Sequence, residues 1–212
     1  YNNLHREEQG IITQEAISRR RLKNTCLKYL LSSKRDEAIK LAEDQYYNSL
    51  TMTDSFCALY GLVDVDSPSV PKALAHYFSA WKDNALCLDR WFQIQAMAAQ
   101  PPNINIIYDL ENHAAFNPKN PNRLRSLVFS FCKANYVGFH NVTGEGYKFC
   151  RKFVINTDRF NRQLAAGLVR AFSSWRRYDD KRQLLMHKEL ETILKTEGLS
   201  SDVHELTTQI IG

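Results

Sequence analysis

Apolar residues recur along most of this chain at intervals of three and four. Over 123–135, Leu124, Leu127, Val128, Phe131 and Cys132 form one stripe down a helix. Over 85–99, Leu88, Trp91, Phe92, Ala96 and Ala99 repeat that spacing. Phe160, Leu164, Leu168, Ala171 and Trp175 make a third stripe, and Met186, Leu190, Ile193 and Leu194 a fourth. Residues 16–31 and 36–47 show the same period with more charge, and Leu22 and Cys26 are expected on the buried side of the first. No segment reads convincingly as a strand.

Local chemistry marks the boundaries. Thr53-Asp54 suits a helix start, because a short side-chain oxygen satisfies orphan N–H groups. Pro71 suits a first turn, where its missing N–H costs nothing. Gln100-Pro101-Pro102-Asn103 and 117–122 are breakers. Gly198 suits a helix C-terminus, and Ser201-Asp202 opens a last short helix. The sum is about nine or ten helices of roughly 10 to 18 residues. Antiparallel pairs of that size build solenoids, and with no clean repeat this one is irregular. No linker divides the chain, so one all-α domain over 1–212 is expected.

Composition narrows the class. The 212 residues carry 28 Lys and Arg against 23 Asp and Glu, a formal charge of +5. Hydrophobic residues make up 44% and charged ones 24%, which excludes a disordered chain. The 8 Gly and 6 Pro are too few for a many-stranded barrel or sandwich. No apolar run approaches the roughly 18 to 20 residues of a bilayer span, so a soluble chain is expected. Five scattered cysteines without a C-x-x-C pair argue for buried free thiols in a reducing, cytoplasmic compartment. The chain opens on Tyr1 without an initiator Met or signal pattern, and it reads as part of something longer.

Most catalytic patterns are missing. The six His residues show no i, i+4 pair and no H-E-x-x-H, so no metal site is expected in this chain. There is no G-x-S-x-G elbow. Gly144-Glu145-Gly146 lacks the third glycine and the preceding strand of a phosphate cradle, and reads as a turn before a helix. Glu7-Glu8 and Asp179-Asp180 are sequence neighbours that diverge on a helix, and read as solvated charges. The basic run 19–23 points in several directions and the net charge is mild, so no nucleic-acid partner is expected. The segment 176–182 is charge-balanced, which favours local ion pairs. The strongest candidate is Asn120-Pro121-Asn122-Arg123-Leu124-Arg125, a Pro-braced turn feeding a helix with two guanidiniums in its first turns. Arg125 flanks the apolar stripe. Such an Arg either caps or pairs within the fold, or offers a forked donor to a ligand carboxylate or carbonyl. Spacing alone favours the former.

Several stretches, in order, resemble the C-terminal helical domain of the aminopeptidase N family, the alanyl aminopeptidases of the gluzincin zinc peptidases. Residues 21–30, Arg-Leu-Lys-Asn-Thr-Cys-Leu-Lys-Tyr-Leu, resemble R-x-L-R-N-x-C-L-x-x-L. Met52-Thr53-Asp54 resembles N-M-T-D, with Thr51 where Asn usually stands. Leu88-Asp89-Arg90-Trp91-Phe92 with Gln95-Ala96 is similar to M-D-K-W-F-x-x-Q-A, and 120–127 to N-P-N-R-x-R-S-L. Phe139-His140 with Gly144, Gly146, Tyr147 and Phe149 is similar to F-H-x-x-D-G-S-G-Y-x-F, and Arg177-Tyr178-Asp179 with Arg182 to K-R-Y-D-x-x-R-Q.

The resemblance implies part of an enzyme. It implies a HEAT-like bowl of helix pairs, lacking its first helices, that encloses a substrate chamber and restricts access. Zinc and H-E-x-x-H would lie in a catalytic domain of the same polypeptide, with peptides as substrates of the whole. This chain alone is then expected to be inactive. By resemblance Arg125 faces the chamber, with Arg123 its neighbour, while Gly167 stands where relatives often carry a further Arg and Arg170 follows one turn later. The alternative is a free-standing helical-repeat module that binds a protein or peptide. An upstream H-E-x-x-H separates the two.

Overall fold

The computed structural model describes residues 1–6, 9–99 and 104–212, and among these every regular element is helical. The all-α expectation therefore holds. Glu7-Glu8 and the breaker at 100–103 lie outside the described residues. Two compact units form, Tyr1–Ile94 and Gln95–Gly212.

The first unit is built on α1 (Gln14–Ser32), α2 (Asp36–Asn48), α3 (Met52–Asp64) and α4 (Val70–Trp81), followed by α5 (Ala85–Met97). α1 packs on α2 and α3, and α3 also meets α4. Pro71 stands in the first turn of α4, where the sequence places it. In α5 the stripe residues Leu88, Trp91, Phe92 and Ala96 are all buried.

α1 departs from its predicted face. Its buried residues are Ala16, Lys23, Leu27 and Leu31, while Leu22 is 53% exposed. A charged side chain takes the core position because partners are waiting. Lys23 Nζ lies 2.5 Å from Asp54 Oδ2, and Asn24 Nδ2 donates to Asp54 Oδ1 at 2.8 Å. Gln45 Nε2 donates to Asn24 Oδ1 and to the Asp54 carbonyl, each at 2.8 Å. A fully partnered charge is tolerated where an apolar residue was expected. For the same reason Thr53-Asp54 is not the cap of α3. Thr51 caps it, accepting from the Asp54 N–H at 3.3 Å, and the Asp54 carboxylate is left to Lys23.

The second unit holds α6 (Ile104–Glu111), α7 (Pro121–Leu124), α8 (Ser130–Ala134), α9 (Tyr136–Phe139), α10 (Glu145–Asp158), α11 (Arg162–Val169), α12 (Asp180–Leu194) and α13 (Ser201–Ile211). α10 packs on α11 and α12, and both of those pack on α13. Phe149, Phe153, Leu168, Met186, Leu190 and Val203 fill the space between them.

Several of these helices are much shorter than the period suggests. The stripe from Phe160 to Trp175 is not one helix. Asn161 accepts from the Leu164 N–H at 3.0 Å and starts α11 there, leaving Phe160 47% exposed. After Val169 the chain tightens into single 3-10 turns at Arg170–Phe172 and Trp175–Arg177. Their winding, three residues per turn, brings Phe172 rather than Ala171 into the core. All five cysteines are free; Cys132 and Cys150 are buried as expected, whereas Cys57 is exposed. Among the described residues no helix is long and apolar enough to cross a membrane.

Candidate functional site

The Pro-braced turn that begins at Asn120 feeds a helix, as its sequence predicts. Asn120 Oδ1 accepts from the N–H groups of Asn122 at 3.0 Å and Arg123 at 3.3 Å, and Pro121 occupies the first turn of α7. This entry aims Arg123 inward. Its side chain is only 6% exposed, and Nη1 donates to the Ala115 carbonyl at 2.8 Å. Ser126 Oγ donates to the Arg123 carbonyl at 2.8 Å and braces the same turn.

Between α7 and α8, Arg125–Phe129 winds as a π turn. The Ser130 N–H reaches the Arg125 carbonyl, and Ser130 Oγ also donates to that oxygen at 3.3 Å. Such i→i+5 turns are rare and recur at functional sites. The apolar stripe survives it, with Leu124, Leu127, Val128 and Phe131 all buried. Arg125 is exposed, and its guanidinium has no ion pair or hydrogen bond among the described residues. The two arginines thus diverge, one into the fold and the other to solvent.

A second cation follows on α8. The Phe129 ring lies against Gly167 of α11, its Cε1 and Cζ each 3.4 Å from where a Cβ would stand. Lys133 Nζ sits 5.0 Å from the centre of that ring. Burial, together with the nearby Arg170 guanidinium, holds the Lys133 ammonium below its usual pKa. The sequence reading passed over Phe129 and Lys133. Their i, i+4 spacing opposite a residue without a side chain was the available signal.

The F-H and R-Y-D stretches meet at His140. Its Nδ1 lies 2.9 Å from the Tyr147 hydroxyl and its Nε2 2.8 Å from that of Tyr178, on which the ring stacks at 4.0 Å. Arg182 Nε donates to the His140 carbonyl at 2.6 Å. Burial, reinforced by the Arg182 charge, lowers the His140 pKa to about 4. The ring is therefore neutral, accepting from one tyrosine and donating to the other. Asp179 is not merely a solvated charge. It caps α12 through the Arg182 N–H at 3.1 Å and pairs with Arg182 Nη1 at 2.6 Å. The G-x-G is a packing device: Gly144 has φ +73°, and a Cβ on Gly146 would stand 2.4 Å from the Phe139 carbonyl oxygen.

Residues 1–212 match the family described as a domain of unknown function, DUF3458_C, ARM repeats. The chain is 37% identical to aminopeptidase N of Haemophilus influenzae over 194 residues, covering 92% of this chain and 22% of that protein. It is 34% identical to aminopeptidase N of Caulobacter vibrioides, covering 99% of this chain and 25% of the relative. The chain belongs to this family. It is a C-terminal ARM-repeat domain of the aminopeptidase N type. Among solved structures, Legionella pneumophila aminopeptidase A in complex with aspartic acid superposes with a TM-score of 0.87 at 32% identity. That match covers 98% of this chain and 25% of the other. The chain thus spans about a quarter of the length of the relatives it matches.

Among the described residues no three His, Cys, Asp or Glu side chains converge where a metal ion could be held.

Proposed function

We propose that this chain is the non-catalytic C-terminal domain of a zinc metalloaminopeptidase that removes N-terminal residues from peptides. In this reading residues 1–212 act as one domain that encloses the substrate chamber and restricts entry. Zinc and the hydrolytic groups belong to the catalytic domain of the same polypeptide. The observation that carries the reading is Arg125, exposed and unpartnered on a π turn whose neighbour Arg123 is locked inward. An unpaired guanidinium is a ready forked donor for peptide carbonyls or a carboxylate. Arg125 contacts the downstream part of a bound peptide, and Arg123 positions the turn that presents it.

The test is made in the full-length enzyme. Arg125→Ala should raise KM for tri- and tetrapeptides by about tenfold, the worth of one charge-assisted contact. Hydrolysis of a single-residue alanyl anilide, too short to reach it, should change less than about twofold. Equal effects on both substrates would sink the reading.

A further inference from the structure

Asp54 matches the charge of Lys23 but does not use up its ammonium. Nζ donates to Asp54 Oδ2 at 2.5 Å, and its other two N–H groups have no acceptor among the described residues. The side chain is only 2% exposed, and donors left unmet at such depth are costly. Beside it lies a cavity of about 690 Å³, within the roughly 300–1,000 Å³ of small-molecule sites. Lys23, Gln45 and Asp54 form its buried floor. Thr51 lines it too; its Oγ1 accepts from the Asp54 N–H at 3.3 Å, and its own O–H is unused among the described residues. A buried ion pair is often no more stabilising than an apolar pair of similar volume, so its place on a cavity floor points to recognition.

A carboxylate of α2 lines the same cavity. Asp44 is exposed and forms no ion pair among the described residues; its Oδ1 accepts from Asn48 Nδ2 at 2.7 Å. Leu41, one turn earlier on α2, and Leu50, exposed between α2 and α3, supply the apolar part of the lining. Arg6 adds a positive charge, with Nη1 donating to the carbonyls of Asn3 at 3.2 Å and His5 at 2.6 Å. Unused N–H and O–H donors at the floor, an unpaired carboxylate and two leucines are three separate recognition elements. Together they match a zwitterion that carries an aliphatic side chain.

We propose that the cavity over the Lys23–Asp54 pair binds a free α-amino acid with an aliphatic side chain. The carboxylate of the ligand accepts from Lys23 Nζ and the Thr51 hydroxyl, its ammonium donates to Asp44, and its side chain packs on Leu41 and Leu50. Asp54 is a positioning residue that holds the Lys23 ammonium in place. An amine without the carboxylate leaves the Lys23 donors unmet, and an acid without the amine leaves Asp44 without a counter-ion. The site therefore selects against both analogues. Its ligand is of the class that the hydrolysis proposed above releases, but the site does not depend on that reading.

The experiment is a saturation-transfer NMR titration of the full-length enzyme, with excess hydroxamate present to occupy the proposed zinc. The probes are leucine, isocaproate, which lacks its amine, and isoamylamine, which lacks its carboxylate. The parent should bind leucine about tenfold more tightly than either analogue, the worth of one charge-assisted contact. Asp44→Asn should bring leucine to the level of isocaproate and leave isocaproate itself unchanged. Lys23→Met/Asp54→Leu should bring leucine to the level of isoamylamine and leave that amine unchanged. The melting temperature checks the fold of the double variant. Asp44→Asn alters an exposed side chain, so this arm decides the matter by itself if the double variant does not fold. Leucine and both analogues binding alike in the parent, or leucine unaffected by Asp44→Asn, would overturn the site.

Discussion

Lys23 and Asp54 form an ion pair at 2.5 Å whose side chains are only 2% and 8% exposed. Asn24 and Gln45 complete the hydrogen bonding of the carboxylate and its backbone, and the Tyr1 hydroxyl donates to Gln45 Oε1 at 2.5 Å. The pair ties α1 to the start of α3. Breaking such a pair from one side leaves a charge buried without its partner, which costs about 3–5 kcal/mol. Asp54→Ala should therefore lower the unfolding free energy of the protein by that amount in urea titration. Lys23→Met with Asp54→Leu should recover much of it, because the apolar pair leaves no charge behind. Equal destabilisation in the single and double variants would show that the ion pair is not the source.

His140 predicts an acid-side loss of stability. An unfolded His binds a proton near pH 6.5, whereas the folded ring resists until about pH 4. The unfolded state therefore takes up the proton first as pH falls, and the native state weakens between about pH 6.5 and 4. Above that window the contribution is complete. Full weight would be about 3 kcal/mol, but the ring is half-buried and solvent screening leaves about 1–2. The charges that face it are Arg182 and, through Arg182, Asp179, while Tyr147, Tyr178 and Tyr136 supply the rings around it. His140→Gln should flatten the stability profile across that window. A profile as steep as that of the parent would assign the acid loss to carboxylates instead.

Two glycines should respond differently to alanine. At Gly146 the added carbon would meet the Phe139 backbone oxygen at 2.4 Å, and backbone cannot step aside cheaply. Gly146→Ala should cost about 2–3 kcal/mol by overpacking. Gly198 has φ +75° with nothing within 4 Å, so Gly198→Ala carries only conformational strain, about 1 kcal/mol. Thermal unfolding ranks the two, and the reverse order would count against close packing of α9 on α10.

The two arginines divide between stability and recognition. Arg123→Ala strands the Ala115 carbonyl and should cost about 2 kcal/mol. Arg125→Ala removes no hydrogen bond or ion pair within the described residues and should stay within about 0.5 kcal/mol. A matched loss in both would mean that Arg125 is structural.

Where apolar period alone decides burial, the sequence was readable. Leu88, Trp91, Phe92 and Ala96 of α5, Phe131 and Cys132 of α8, and Met186, Leu190 and Ile193 of α12 are buried as spaced, while Ala99 and Leu194 are only half-buried, and the motif order pointed to the family. Three features escaped for physical reasons. Lys23 occupies a core position only because Asp54, thirty-one residues away, comes to meet it, and no local pattern carries that. The stripe from 160 to 175 breaks because Asn161 outcompetes the helix as a cap and the chain then tightens by a fraction of a residue per turn. The π turn leaves the apolar stripe intact, so hydrophobic period cannot reveal it. Within 120–127, spacing could not tell which guanidinium turns inward; that depends on the Ala115 carbonyl.

The π turn also changes what a deletion means here. Removing one residue from 126–129 would let the helix close into ordinary i→i+4 turns without tearing its hydrogen-bond ladder. The wide turn spreads five residues over nearly the rotation that four cover in an α-helix, so side chains on the N-terminal side would keep almost the same bearing relative to α8. Fold and recognition surface would both tolerate the cut. Arg125 would remain on the surface and point much as before, but its carbonyl would lose the i→i+5 bond. In this helix, the π turn stores one residue of slack.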